Sequence, residues 1–478
     1  MLLAAIFAIL LISPSLFLEL VSLLALYLVA RVLLLAVFYF VGLVRIRQEA
    51  TSAQVNASAT ATQAAGVHHV VIVPSFCEPI DLLARTLLAL AVQKDAHLRL
   101  TVVLAMEEAE AGAWAKAQQL EARFAGRFAR LLVTFHPAGL PGELPGKASN
   151  LDWAARQARL ALVDRGGTPI ETLTLTSCDA DSLIHPSYFA ELTRRFAGDP
   201  ERHTRFWQAP MRFDTGIWEA PAPVRTATLL NNALLLSQLA TPGMFHLPLS
   251  TYTLSFKLAD DAGYWDGMVI AEDYHMFLRC FFAAQGRVRL DPIFLPTTGN
   301  AVGGDSSGQT LRSTFQQAVR HAWGCQDVGY ILQQWRRSPG VLRLLSVRYF
   351  LKFLHDHLAF SAAPFILAAG ALLTLASTCR PILMWPSTVP LLSVVSHWGY
   401  GLGLVGLAGV WAVEHGRCAR QVPGWQPAKL VGEMLLSLVV PVLLVALGVP
   451  VLYAQTKMML GSELIYITTP KKEGAGIG

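Results

Sequence analysis

The chain has 478 residues, of which 53% are hydrophobic and only 15% charged, a balance that excludes an ordinary soluble protein and requires part of the sequence to sit in lipid. Its 38 Lys and Arg against 33 Asp and Glu leave a formal charge of +5, scattered between segments rather than gathered in runs, which speaks against a nucleic-acid partner. Six cysteines (Cys77, Cys178, Cys280, Cys325, Cys379, Cys418) stand far apart with no C-x-x-C pair, so neither a zinc site nor a disulfide framework is expected.

In chain order, residues 1–48 read as a transmembrane anchor. Met1 to Val44 is almost wholly apolar and exceeds the roughly 20 helical residues a crossing needs. Ser13, Pro14 and Ser15 interrupt it, leaving a long helix from Leu16 to Val44 preceded by a partial segment or a tight hairpin, so one span or two. No basic residue precedes the run and no small-residue cleavage site follows a short core, which favours a retained anchor over a signal peptide. Arg45 and Arg47 follow directly and place the next segment in the cytoplasm by the positive-inside rule. Residues 49–66, rich in Ala, Ser, Thr and Gln, read as a linker.

Over residues 67–335 the pattern changes. The runs HHVVIVP, LRLTVVLAM, ARLLVTFHP and TLTLTSCDAD alternate with helical stretches such as Leu82 to Gln93, Ala111 to Phe128 and Leu151 to Val163. Strands separated by helices predict a mostly parallel, Rossmann-like sheet covered on both faces, with ligands bound beyond the carboxyl ends of its strands. Residues 336–357 mix apolar side chains with Arg343, Arg348, Lys352, His355, Asp356 and His357, which suits an amphipathic helix in the interface. Residues 358–456 form a C-terminal transmembrane region with spans at Leu358 to Ser377 and Leu391 to Val413, and a third run, Leu430 to Ala454, that crosses or re-enters. Residues 457–478 are a tail whose side stays open.

The chemistry is expected at the strand ends. TLTLTSCDAD releases Asp179 and Asp181, two carboxylates spaced to share a divalent cation with phosphate oxygens, although D-x-D by itself is common in turns. MVIAEDYHMFLRC places Glu272 and Asp273 at a helix start, where Asp is either a cap or, functionally, a general base that Glu272 helps to hold. In QQAVRHAWG, Gln317, Arg320 and His321 share one helical face with Trp323 near, a solvated face or one suited to a diphosphate and a stacked ring. VVIVPSFCEP releases Ser75, Cys77 and Glu78; LRLTVVLAMEE releases Glu107 and Glu108. PGELPGKASNLDWA offers a Gly-rich loop with Lys147 and Asn150, without P-loop spacing. The Leu-rich stretch Pro223 to Phe256 is a core helix or a surface helix that receives an acceptor, with Trp207, Gln208 and Ser250 to Phe256 then lining the acceptor side.

Taken in order, VPSFCEP, GKASNL, DAD, AED and Q-x-x-R-H resemble the processive-type family 2 membrane glycosyltransferases, the group of cellulose and hyaluronan synthases and many polyprenyl-phosphate sugar transferases, over roughly Val70 to Gly324. The resemblance implies a GT-A fold and an inverting displacement with a nucleoside-diphosphate leaving group, UDP being the expected carrier. In it Asp273 takes the acceptor proton and Asp181, with Asp179, holds Mg²⁺ or Mn²⁺. Glu78 and Glu107 lie at the nucleoside, Lys147 near the phosphates, Gln317 and Arg320 over donor and acceptor, and Trp207, His321 and Trp323 on the acceptor side. Cys77 stands where the family often has Asn, Glu107 where it usually has Asp, and His321 where processive enzymes have Trp. The last departure weakens the case for processivity.

The function expected is transfer of a sugar to a membrane-associated glycan or lipid at the cytosolic face of a multi-pass membrane protein. Two alternatives stand beside it: a processive polysaccharide synthase with export, and a non-catalytic scaffold or transporter whose carboxylates are caps and loop residues.

Overall fold

The computed structural model describes residues 2–56, 66–243, 246–304, 306–337, 343–379, 390–419 and 440–461. Two apolar helices open the chain, α1 (Leu2–Ile12) and α2 (Pro14–Asn56), separated at Ser13. Pro14 begins α2 because its missing N–H is no loss in a first turn and its fixed φ is already helical. Among the described residues α2 is the one helix long and apolar enough to cross a membrane, over Pro14–Ala53.

The linker expected over 49–66 is partly overturned, since α2 continues through Arg45, Arg47 and Glu49 to Asn56. Glu49 gives the reason: its carboxylate pairs with Arg195 and accepts the N–H of Phe294 at 2.9 Å, which fastens this turn to the domain. Residues 57–65 of the expected linker lie outside the described residues.

The α/β layer then runs β1 (His68–Ser75), α3 (Ile80–Ala91), α4 (Ala96–Arg99), β2 (Leu100–Glu107), α5 (Ala113–Arg123), β3 (Arg130–His136), α6 (Lys147–Arg159), β4 (Leu173–Ser177) and α7 (Tyr188–Gly198). It continues with β5 (Arg205–Gln208), β6 (Met211–Thr215), α8 (Ala222–Ala240), β7 (Tyr252–Ser255), α9 (Phe256–Asp261), α10 (Glu272–Ala283), β8 (Arg289–Pro292), β9 (Thr297–Asn300), α11 (Ser307–Ala322) and α12 (Gln326–Arg337). Seven strands form one sheet in the order β3-β2-β1-β4-β7-β5-β8, while β6 and β9 form a second, small one. Strands β1 to β4 are mutually parallel and β7 runs against both β4 and β5. The sheet is mixed and mostly parallel, as the alternation of strands and helices predicts.

Alternation along the strands feeds two cores. Val70 and Ile72 face a core shared with α6, α8 and α10, whereas Val71 and Val73 face one shared with α3, α5 and α7. Covering both faces is what makes the strands read as continuous apolar runs. It also leaves the carboxyl ends of β1, β2 and β4 at a common edge, where Ser177 of β4 lies opposite Tyr252 at the start of β7.

Three further helices follow, α13 (Arg343–Cys379), α14 (Pro390–Ala419) and α15 (Val440–Met459). The boundary expected at 357/358 is not a break, because α13 runs through it and past Pro364 as one helix. Within α13 the apolar stretch Ser361–Gly370 is shorter than a bilayer crossing. The third expected span, Leu430 to Ala454, lies partly outside the described residues.

Candidate active site

The carboxyl end of β4 turns into Cys178–Asp179–Ala180–Asp181, and the two aspartates leave it in different directions. Asp181 is 5% exposed and its Oδ2 accepts the N–H of Asn300 at 2.9 Å, so it faces the small sheet. That course is fixed by the backbone pairing of Leu183 with Thr298. Asp179 turns toward Lys147, the first residue of α6, whose Nζ lies 2.6 Å from Asp179 and 2.7 Å from Glu272. Burial alone would lower the Lys147 pKa, but the two carboxylates outweigh it and hold the ammonium protonated well above its ordinary range.

Ser250 joins the pieces. Its hydroxyl donates to Asp179 Oδ2, its N–H donates to Asp273 Oδ2 at 3.1 Å, and its carbonyl accepts from Lys147 Nζ at 3.1 Å. It does this from a left-handed backbone, φ 62°, a strained choice for a non-glycine residue that the surrounding bonds enforce. Gln208, at the end of β5, steadies the same loop by accepting from Leu249 N at 2.8 Å and donating to Thr251 O at 3.0 Å. The sequence marks Ser250 only as the start of a run, because nothing in its neighbours signals a positive φ.

Asp273 sits in the first turn of α10 beside Glu272. Burial, then the neighbouring Glu272 charge, raise the Asp273 carboxyl well above the usual carboxylate range, against the opposing pull of Lys147. A carboxylate poised in this way is a better proton acceptor near neutral pH than a solvated one.

Glu78 and Glu107 stand at the ends of β1 and β2 as expected, each already engaged. Glu78 accepts from Ser75 Oγ at 3.1 Å and from the Phe76 N–H. Glu107 bonds His136 Nδ1 at 2.9 Å, and His136 Nε2 reaches Glu143 in the Gly-rich loop, also at 2.9 Å. Burial works against a charged His136, yet hydrogen bonds to both carboxylates prevail and raise its pKa. Asn150 is structural, since its Nδ2 donates to Ala105 O of β2 at 2.8 Å.

On α11, Gln317, Arg320 and His321 share a face by their spacing, and the His321 imidazole lies within the electrostatic reach of both Arg320 and Asp179. Two of the acceptor-side residues are buried. Trp207 is 1% exposed and packs edge-on against Phe196 in the second core, because alternation along β5 turns it away from its neighbour Gln208. Trp323 is 5% exposed, in the 3₁₀ turn that ends α11.

Asp179 and Asp181 offer hard carboxylate oxygens of the kind that suit Mg²⁺ or Mn²⁺. The Lys147 ammonium stands against Asp179 as a cation would, whereas Asp181 is turned to Asn300, so in this structure the fit to a divalent ion rests on Asp179. The described residues also hold Asp214, Glu414 and Cys418 with ligating atoms within 4.8 Å of one another. Arg417 occupies that cluster, donating to Asp214 at 2.7 and 3.0 Å and to Glu414 at 2.6 Å.

Residues 175–405 match the family described as Glycosyl transferase family group 2. That stretch, just under half of the chain, is what is similar to the family 2 glycosyltransferases. The chain is similar to the mannosyltransferase PcManGT from Pyrobaculum calidifontis, solved in complex with GDP-Man and Mn²⁺, at 15% identity and a TM-score of 0.46 over 90% of this chain and 100% of that one. It is also similar to S. aureus TarS, at 14% identity and a TM-score of 0.36 over 73% of this chain and 52% of that one. The TarS fragment 1-349 in complex with UDP gives 14% identity and a TM-score of 0.37 over 86% and 100%. No curated protein matches by sequence.

Proposed function

We propose that the chain transfers a sugar from a nucleoside-diphosphate donor, with UDP the expected carrier, to a membrane-associated glycan or lipid acceptor at the cytosolic face, with inversion at the anomeric carbon. The observation that carries this reading is the meeting of Lys147, Asp179, Glu272 and Asp273 around Ser250. Asp273 takes the proton from the acceptor hydroxyl as that oxygen attacks the sugar carbon and the bond to the diphosphate breaks. Glu272 and Ser250 hold Asp273 in place.

Asp179 and Asp181 would hold Mg²⁺ or Mn²⁺, which when bound neutralises charge developing on the leaving diphosphate. Lys147, released from Asp179, turns its ammonium to the same phosphates. Glu78 and Glu107 lie at the nucleoside, and Gln317 and Arg320 cover donor and acceptor.

The acceptor enters beside Asp273, where Gln208, Leu249, His246, Tyr274, Leu239 and Lys352 line a cavity. Walls with several aliphatic side chains and no ring larger than those of Tyr274 and His246 favour a lipid-linked acceptor and short additions over a long glycan, which needs stacking platforms. Anchoring by α2, with α13 to α15 as further membrane helices, brings such an acceptor within reach. The test is incubation of the purified protein with nucleotide sugars, Mn²⁺ and membrane lipids. Sugar transfer with release of nucleoside diphosphate is expected; absence of release from every common nucleotide sugar overturns the reading.

A further inference from the structure

We propose that His275 is a positioning residue whose imidazole, set between Asp327 of α12 and Asp266 of the loop before α10, fixes the direction in which α10 presents Asp273. The proposal rests on the assignment of Asp273 as the base.

His275 follows Asp273 by two residues, so on a helix it points to the opposite side, away from the cleft. Its Nδ1 lies 2.6 Å from Asp327 Oδ1, its Nε2 3.7 Å from Asp266 Oδ2, and its ring is 4.4 Å from that of Tyr330. Asp327 is wholly buried and His275 is 4% exposed. Taking either partner away would leave the other as an uncompensated polar group in the interior, so the contact determines how α10 meets α12. One turn further along α10, Arg279 reaches the same Asp266 carboxylate at 3.7 Å and donates to Ala262 O and Gly263 O at 3.0 and 3.3 Å.

Both ends of this joint lead into the site. Through the turn Trp323–Cys325, α12 continues backward into α11, the helix of Gln317, Arg320 and His321. In that turn Gly324 lies so close to Ala271 that a Cβ on it would come within 3.4 Å of the alanine methyl. In the other direction, Gly267 O accepts from Leu144 N at 2.9 Å, and Glu143 next to it is the partner of His136. The loop from Gly263 to Ile270 is thus held between two carboxylate–imidazole–carboxylate bridges, His136 with Glu107 and Glu143, and His275 with Asp266 and Asp327.

The groups facing His275 are Asp327 and Tyr330 from α12, Asp266 from the loop and Arg279 from its own helix. Burial opposes the imidazolium, but the Asp266 carboxylate 3.7 Å away and the hydrogen-bonded Asp327 carboxylate outweigh it and raise the pKa. The bridge is therefore complete below the ordinary imidazole range and is lost as pH rises through the raised value.

The test uses the full chain, with sugar transfer as one readout and binding of nucleoside diphosphate with Mn²⁺, by thermal shift, as the other. His275→Gln and Asp327→Asn are expected to lower kcat by about tenfold or more while nucleotide affinity stays within about twofold. Asp327→Glu is expected to recover part of the loss, and the alkaline limb of kcat against pH to vanish in His275→Gln. Should the two core variants fail to fold, Asp266→Asn in the accessible loop carries the test, with about a threefold loss of kcat and a displaced alkaline limb. Wild-type kcat at every pH in the variants that fold, or parallel losses of affinity and kcat, overturns the proposal. Asp273→Asn separates the two layers: if it retains turnover the base assignment falls, and if it is inactive while His275→Gln is normal only the positioning role falls.

Discussion

Two half-buried cations in this molecule each bridge a pair of carboxylates, Lys147 between Asp179 and Glu272 and Arg417 between Asp214 and Glu414. Their surroundings differ. Lys147 is a point charge with rotatable donors, its third contact is a backbone carbonyl, and its partners stand just beyond β4 and at the start of α10. Arg417 is a planar fork whose carboxylates are further occupied by Tyr39 at 2.8 Å and Asn232 at 2.9 Å. On the proposed function the first arrangement exchanges its cation for a metal ion and phosphates, whereas the carboxylates of the second are closed by neutral donors as well. Similar side chains thus give a site in one place and a bolt between β6, α8, α2 and α14 in the other.

The contrast can be broken or sharpened by measurement. The largest effect is expected from Asp273→Asn, which should lower kcat by about 10²- to 10⁴-fold with nucleotide binding intact, compared by transfer assay and thermal shift. Next, chelation by EDTA or Asp181→Asn should abolish the metal-dependent part of nucleoside-diphosphate stabilisation, read as loss of the Mn²⁺-dependent rise in Tm. Lys147→Gln should raise the donor KM by about tenfold, since a charge-assisted contact to phosphate is lost. Arg417→Leu should cost about 3 kcal/mol of stability, seen as a lower unfolding temperature, with kcat and donor KM per folded molecule unchanged; a rise in donor KM like that of Lys147→Gln would erase the distinction.

The smallest effect concerns pH. Asp273 must be unprotonated to act, so activity should rise with pH through its raised pKa, placing the acid limb of kcat/KM above the ordinary carboxylate range. Removing the adjacent charge with Glu272→Gln should move that limb toward acid.

The strand ends were legible because parallel strands announce themselves as apolar runs and their polar successors stand out, as with Glu78, Glu107 and Asp179. Pairing across the chain was not. Ser250, His136 and His275 take their roles from partners far away in sequence, Asp179 and Asp273 for the first, Glu107 and Glu143 for the second, Asp327 for the third. Trp207 shows the converse error: a one-residue step along β5 decides between cleft and core, and composition does not give that phase. The linker was misread because Ala, Gln and Ser near Glu49 are compatible with helix, and the tertiary contact to Arg195 selects it.

Helix α2 has 43 residues, about 65 Å at the α-helical rise, roughly twice the thickness of a bilayer's hydrocarbon interior. Its later half is fixed to the α/β layer: Gly42 lies against Leu236, Arg45 stacks over Phe294, and Glu49 grips Arg195. Where its first half is embedded, the altitude of Asp273 over the lipid headgroups is set by a stiff mast instead of a tether. On the proposed function, an acceptor hydroxyl standing too near or too far from that elevation would go unglycosylated whatever its chemistry.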